Sequence, residues 1–165
     1  MLDTTPLRAA YRALLDAAAT VTGSGDRAAV PPGEWTADQI LAHVALVNAA
    51  TITAVSSAAS GAITSYDNRT ALDTWTIDRV IALAGGNTGL RNRIRIQAEA
   101  LCELGGAMLS TTELDTPIPT LLLSNGIVLV DQPMPLRDLI TGLAEVEIPG
   151  HTQQLLAHLP DTIDV

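Results

Sequence analysis

The feature that most constrains this chain is the spacing of apolar residues in its last stretch, PLRDLITGLAEVEIPGHTQQLLAHLP, residues 135–160. Leu136, Leu139, Ile140, Leu143 and Val146 recur there with a helical period, which predicts an amphipathic helix with one face buried. Glu147 continues that face, and His151 stands one turn beyond it. A carboxylate and an imidazole are therefore expected side by side on an apolar wall. Burying an unpaired charge costs several kcal/mol, so the pair needs a neutralising partner, and a divalent metal ion is one.

Pro149 and Gly150 fall between these two residues. A proline inside a helix removes a backbone hydrogen bond and bends the axis, at a cost of about 3 kcal/mol. The helix is thus expected either to kink there or to stop at Ile148 with a new turn from Gly150. In a straight helix Glu145 faces away from Glu147, and a kink could exchange their roles. His158, beside Pro160, is expected to serve the helix C-terminus, where a cation complements the dipole.

At 165 residues the chain fits one domain with a continuous core. It is 47% hydrophobic yet has no Phe, two Trp and two Tyr. The core must then be built from Leu, Ile, Val and Ala, which suits close-packed helices. A first helix is expected from about Pro6 to Thr22, capped by Thr4 or Thr5, with Leu7, Tyr11, Leu14 and Leu15 as its stripe. The Gly- and Pro-rich loop GSGDRAAVPPGEW follows. Thr36 with Gln39 forms a capping box that opens a second helix reaching Ser60, with Trp35 stapled against Ile40. On that helix Ile40, His43, Val44, Val47, Thr51 and Val55 share a face, so His43 points inward.

Residues 61–86 read as a crossover with a shorter helix, capped by Asp67 or Asn68 and closed by Gly85 and Gly86. Its Trp75, Ile77, Val80 and Ile81 are expected to pack in the core. Asn87 or Thr88 opens a long helical segment carrying Leu90, Ile94, Ala98, Leu101, Leu104 and Leu109. Arg91, Arg93 and Arg95 on it are read as a solvated face in preference to an anion-binding patch. Asn125 and Gly126, between Thr120–Leu123 and Ile127–Val130, predict a β-hairpin confined by flanking prolines. Such a ribbon is unstable alone and must pack across the helices or against another subunit.

The net charge of -9 and pI near 4.5 repel phosphate backbones and anionic membrane surfaces, so no nucleic-acid or membrane partner is expected. Lysine is absent, which removes Schiff-base chemistry. The start, MLDTTPLRAAYR, has neither the basic leader nor the apolar core of a secretory signal, and no apolar run reaches the roughly 18–20 residues of a membrane span. Cys102 is the single cysteine. An internal disulfide is impossible, in keeping with a reducing cytoplasm, and the thiol is expected buried and inert.

Only three histidines occur in the chain, and two fall at inward-facing positions. Glu147 and His151, at i and i+4, can offer two ligands to one ion. His43, from another helix, could complete a facial set of three that leaves positions open for water or substrate. The candidate metal ligands are His43, Glu147 and His151.

The sequence W-T-x-x-Q-I-L-x-H, ending at His43, a long crossover, and E-x-x-x-H-x-x-Q-L-L, beginning at Glu147, together resemble the DinB-like superfamily. That group includes bacillithiol- or mycothiol-dependent S-transferases and the mycothiol-dependent maleylpyruvate isomerase domain. The resemblance spans nearly the whole chain through short motifs. It implies a mainly all-α fold, an up-down-down-up four-helix bundle with a long helical crossover and a small β-hairpin before the last helix, often dimeric. It also implies a metal held by three histidines, of which two positions fall on His43 and His151. Glu147 stands where the family has the third histidine. A carboxylate still binds zinc, nickel or manganese but should weaken Lewis acidity.

Two readings stay open on the sequence. One is a cytoplasmic, homodimeric metal-dependent S-transferase that joins a low-molecular-weight thiol of the mycothiol type to a small electrophile. The other is a non-catalytic ligand-binding or stress-response module of the same fold, in which Glu147 pairs with a histidine and no metal is held.

Overall fold

Side-chain caps open three of the helices in this protein, and the computed structural model, which describes residues 1–24 and 30–160, shows where each lies. The middle of the loop predicted after the first helix, residues 25–29, lies outside the described residues. Helix α1 (Thr5–Gly23) carries Pro6 in its first turn, but Thr4 makes no side-chain cap. Instead the Thr5 amide donates to Asp3 at 2.9 Å. Helix α2 (Ala37–Ala59) opens with both bonds of the expected capping box between Thr36 and Gln39.

The crossover differs from the expectation. A strand β1 (Tyr66–Asp67) and a single turn α3 (Arg69–Leu72) precede helix α4 (Thr74–Ala84). Asp73 caps α4, accepting from the Thr76 amide at 2.9 Å, so neither Asp67 nor Asn68 has that role. Asn68 is used otherwise: its side-chain amide exchanges two 2.9 Å bonds with the backbone of Leu123, prolonging the pairing of β1 by one residue. Gly85, at φ 76°, closes α4 in the left-handed conformation that glycine adopts without strain. Ile77 is buried as expected and Val80 and Ile81 are half-buried, but Trp75 is 69% exposed. The Arg79 guanidinium lies 5.6 Å from the centre of its ring, so this indole meets a cation at the surface and does not enter the core.

Helix α5 (Asn87–Gly105) ends at its glycine pair, so Leu109 is buried from the turn beyond it and does not extend the helical stripe. Arg91 bonds Asn87, and Arg95 bonds Glu99 and Asn92 along the same helix, the arrangement of a solvated face. A further turn, α6 (Thr111–Leu114), is opened by a capping box between Ser110 and Glu113.

The hairpin forms from β2 (Pro117–Ser124) and β3 (Ile127–Pro135), with Asn125 and Gly126 both at positive φ. It is longer than predicted. Pro117 pairs with Pro135 and bounds the hairpin as expected, while Pro119 and Pro133 pair within the strands. On β2 this is tolerated because β1 pairs only with Thr120 and Leu121, beyond both prolines. The sheet order is β1-β2-β3, with β1 parallel to β2. Two residues of β1 give no periodicity to read, and the third strand was not expected.

The fold is mainly helical with this small three-stranded sheet. Helix α1 packs on α5 and on the end of the last helix, and α2 packs on α5 and α4. Leu14, Val21, Leu41, Val44, Val55, Leu90, Ile94, Leu136, Ile148 and Leu155 are fully buried, an aliphatic core as the composition requires. Helix α2 is long and apolar enough to cross a membrane by length and composition, contrary to the expectation that no run is, and most of it is buried in the protein.

The last helix explains how Pro149 is accommodated. It runs as α7 (Leu136–Gly142), a π-helical turn (Leu143–Glu147) and α8 (Ile148–Leu156) without a break. The Ile148 amide donates five residues back to the Leu143 carbonyl. The wider turn comes just before the residue that has no N–H to give, so the axis neither stops at Ile148 nor restarts at Gly150. Buried positions accordingly step from Leu143 to Ile148, and Val146, expected on the buried stripe, is 71% exposed.

Candidate metal centre

Three elements converge on one point. The capped start of α2 fixes His43, whose side chain is 4% exposed, and the π turn and first turn of α8 carry Glu147 and His151, at 37% and 12%. Nε2 of His43 and Nε2 of His151 each lie 3.0 Å from the same atom, Oε1 of Glu147. The three ligand atoms are all within 4.8 Å of one another and could hold a metal ion. A tetrahedral ion with arms of about 2.0–2.1 Å separates its ligand atoms by about 3.3 Å, close to the two 3.0 Å separations from Oε1 of Glu147.

The outer bonds decide what the rings present. Nδ1 of His43 lies 2.8 Å from the carbonyl oxygen of Ala71 in α3, and a carbonyl only accepts, so Nδ1 carries the proton. Nδ1 of His151 likewise donates to Oε1 of Gln154 at 2.7 Å. On a neutral ring that leaves the Nε2 lone pair, and both lone pairs face one carboxylate oxygen. Two lone pairs against an anionic oxygen repel unless a proton or a cation lies among them. Histidines oriented through Nδ1–H, with a carboxylate completing the set, suit a borderline divalent ion.

The ring of His43 is held between Trp35, at 4.9 Å between centroids, and His151, at 4.7 Å. Burial alone would raise the Glu147 carboxyl; with Nε2 of His151 and His43 protonated, the bonds they donate outweigh burial and hold that group far below the usual carboxylate range. Burial pushes the Tyr66 phenol up to about 12; Thr51 opposes this and the charge of Glu147 adds to it. Beside them Tyr11 donates to Asn48, which bonds Gln97 at 3.2 Å, a satisfied polar chain through the core.

Of the residues singled out in the sequence, His43, Glu147 and His151 come together. Glu145 is exposed on the outer side of the π turn and takes no part. His158 is buried two residues past the end of α8, at that helix's C-terminus, where its amide donates to the carbonyl of Leu155. Cys102 is 3% exposed, and burial pushes its thiol up, as an inert core residue should be. The sequence reading missed Gln154 and Ala71. Gln154 lies at i+3 from His151 and could have been found by that spacing, whereas a backbone carbonyl from the crossover leaves no trace in residue type.

No protein family matches the chain, nor does any curated protein or solved structure with which it was compared.

Proposed function

We propose that this protein is a DinB-like metal-binding protein that acts as a thiol S-transferase, with His43, Glu147 and His151 holding one zinc, nickel or manganese ion. The observation that carries the reading is the outer hydrogen bonding: both Nδ1 atoms are spent as donors, which leaves both Nε2 atoms to bind a cation beside a carboxylate. The packing of α1, α2, α5 and the last helix on one another supports an up-down-down-up four-helix bundle.

A bound divalent ion would supply charge that stabilises a low-molecular-weight thiol, of the mycothiol type, as its thiolate near neutral pH. The chain's own residues do the rest. Ala71 and Gln154 orient the two imidazoles, Glu147 offsets one positive charge, and Trp35 forms a flat apolar wall beside His43. Three protein ligands would leave room for the thiol to lose its proton to solvent, and its sulfur would then form a bond to the carbon of a small electrophile as that carbon's bond to its leaving group breaks. We also propose a homodimer that works in the cytoplasm. The test is metal analysis of protein purified without chelator, followed by thiol conjugation with and without that metal. One equivalent of metal and chelator-sensitive transfer are expected.

A second reading has one observation in its favour: Oε1 of Glu147 lies within hydrogen-bond distance of both histidines, 3.0 Å from each. Under it the cluster is a charged hydrogen-bonded triad in a non-catalytic ligand-binding or stress-response module. Metal-free protein that melts at the same temperature with and without added zinc would favour that reading.

A further inference from the structure

The two histidines are held by unlike partners. His43 is locked by a backbone carbonyl, Ala71, and by rings on two sides, so its tautomer does not depend on any single side chain. His151 is more open, and its Nδ1 bonds only the side-chain amide of Gln154, an exposed residue one turn further along α8. We propose that Gln154 is a positioning residue that keeps the proton of His151 on Nδ1 and so keeps the Nε2 lone pair directed at Glu147 and His43. The proposal rests on the metal-centre reading above and adds to it the residue that makes His151 competent as a ligand.

The physical reason is a competition for one proton. Glu147 lies 3.0 Å from Nε2, and an anionic oxygen is a stronger acceptor than an amide oxygen. Left to itself, the neutral ring of His151 would place its proton on Nε2, bond Glu147 with it, and close the position an ion needs. The amide oxygen of Gln154, at 2.7 Å from Nδ1, draws the proton to the opposite side of the ring. For His43 the Ala71 carbonyl does the same work. Outer-shell partners of this kind typically account for about 10–100-fold in metal affinity.

Because Gln154 is exposed on a helix, its substitution leaves the core intact, and Co2+ is a suitable probe. Gln154→Ala should weaken Co2+ binding, measured by competition with a chelating dye, by about 10–100-fold. Gln154→Glu, which restores an acceptor, should return the affinity to that of the parent protein or tighten it. In ion-free protein, imidazole 15N spectra should show the Nδ1-protonated signature of His151 diminished in Gln154→Ala, kept in Gln154→Glu, and that of His43 unchanged in both. His151→Ala separates the two claims. If it loses Co2+ while Gln154→Ala binds as the parent does, the positioning role is overturned and the metal centre stands. If the parent protein takes up no Co2+, the metal centre falls and the 15N spectra decide alone: an unchanged His151 signature in Gln154→Ala overturns the positioning role, and a diminished one upholds it.

Discussion

The imidazoles of His43 and His151 meet edge to face, their centroids 4.7 Å apart and their planes at 65°. The Nε2 atom of each ring is turned to the same carboxylate oxygen of Glu147, 3.0 Å away. Each histidine is therefore expected to be indispensable. His43→Ala and His151→Ala should each lower metal content and affinity by more than the ~10–100-fold typical of losing an outer-shell partner. Elemental analysis of the purified variants checks this, and full metal content in either would remove the assigned site.

Ion binding to the folded state alone should also register as stability. At an ion concentration near 100 times the dissociation constant the gain is about 2.7 kcal/mol, or a rise in melting temperature of about 5–10 °C for a domain of this size. Thermal scans with excess chelator and with added zinc measure the difference. Coincident curves would mean that the cluster binds no zinc.

The π turn makes a prediction that helical periodicity alone contradicts. Val146 is 71% exposed while Leu143 is 4% exposed. Val146→Ser should change unfolding free energy by no more than about 0.5 kcal/mol, whereas Leu143→Ala should cost about 2–5 kcal/mol. Urea denaturation of the two variants tells whether the register shift is real, since a regular α-helix would make both positions costly.

Both tyrosines of the chain are buried, and both phenols are raised: Tyr66 to about 12 and Tyr11 well above its ordinary 10.0, burial being the main cause in each. A group raised on folding gives its stabilising contribution in full below its unfolded value and loses it as pH climbs through the folded one. Stability is thus expected to fall above pH about 10, and phenolate absorbance should appear only as the protein unfolds. A native tyrosine titrating with a midpoint at 10 would show that one ring is open to solvent.

Much of this was legible beforehand. Thr36 with Gln39, and Asn125 with Gly126, are local codes whose partners lie within a few residues, so α2 and the hairpin turn could be read directly. His43 and His151 were legible because their apolar neighbours fix which way each helix faces. Val146 was misplaced because a π turn shifts the register by one residue, and only the lack of an N–H at Pro149 hints at it. Strand β1 and Trp75 were missed for another reason: a two-residue strand has no period, and an indole looks the same in sequence whether it meets a core or a guanidinium.

The two indoles lie in opposite surroundings, and that has a practical use. Trp35 touches the ring of His43, while Trp75 stands 69% exposed beside Arg79. A paramagnetic occupant of the centre should quench emission from the first and leave the second bright, and iodide should do the reverse. Occupancy could then be followed in real time by the chain's own fluorescence, without a label.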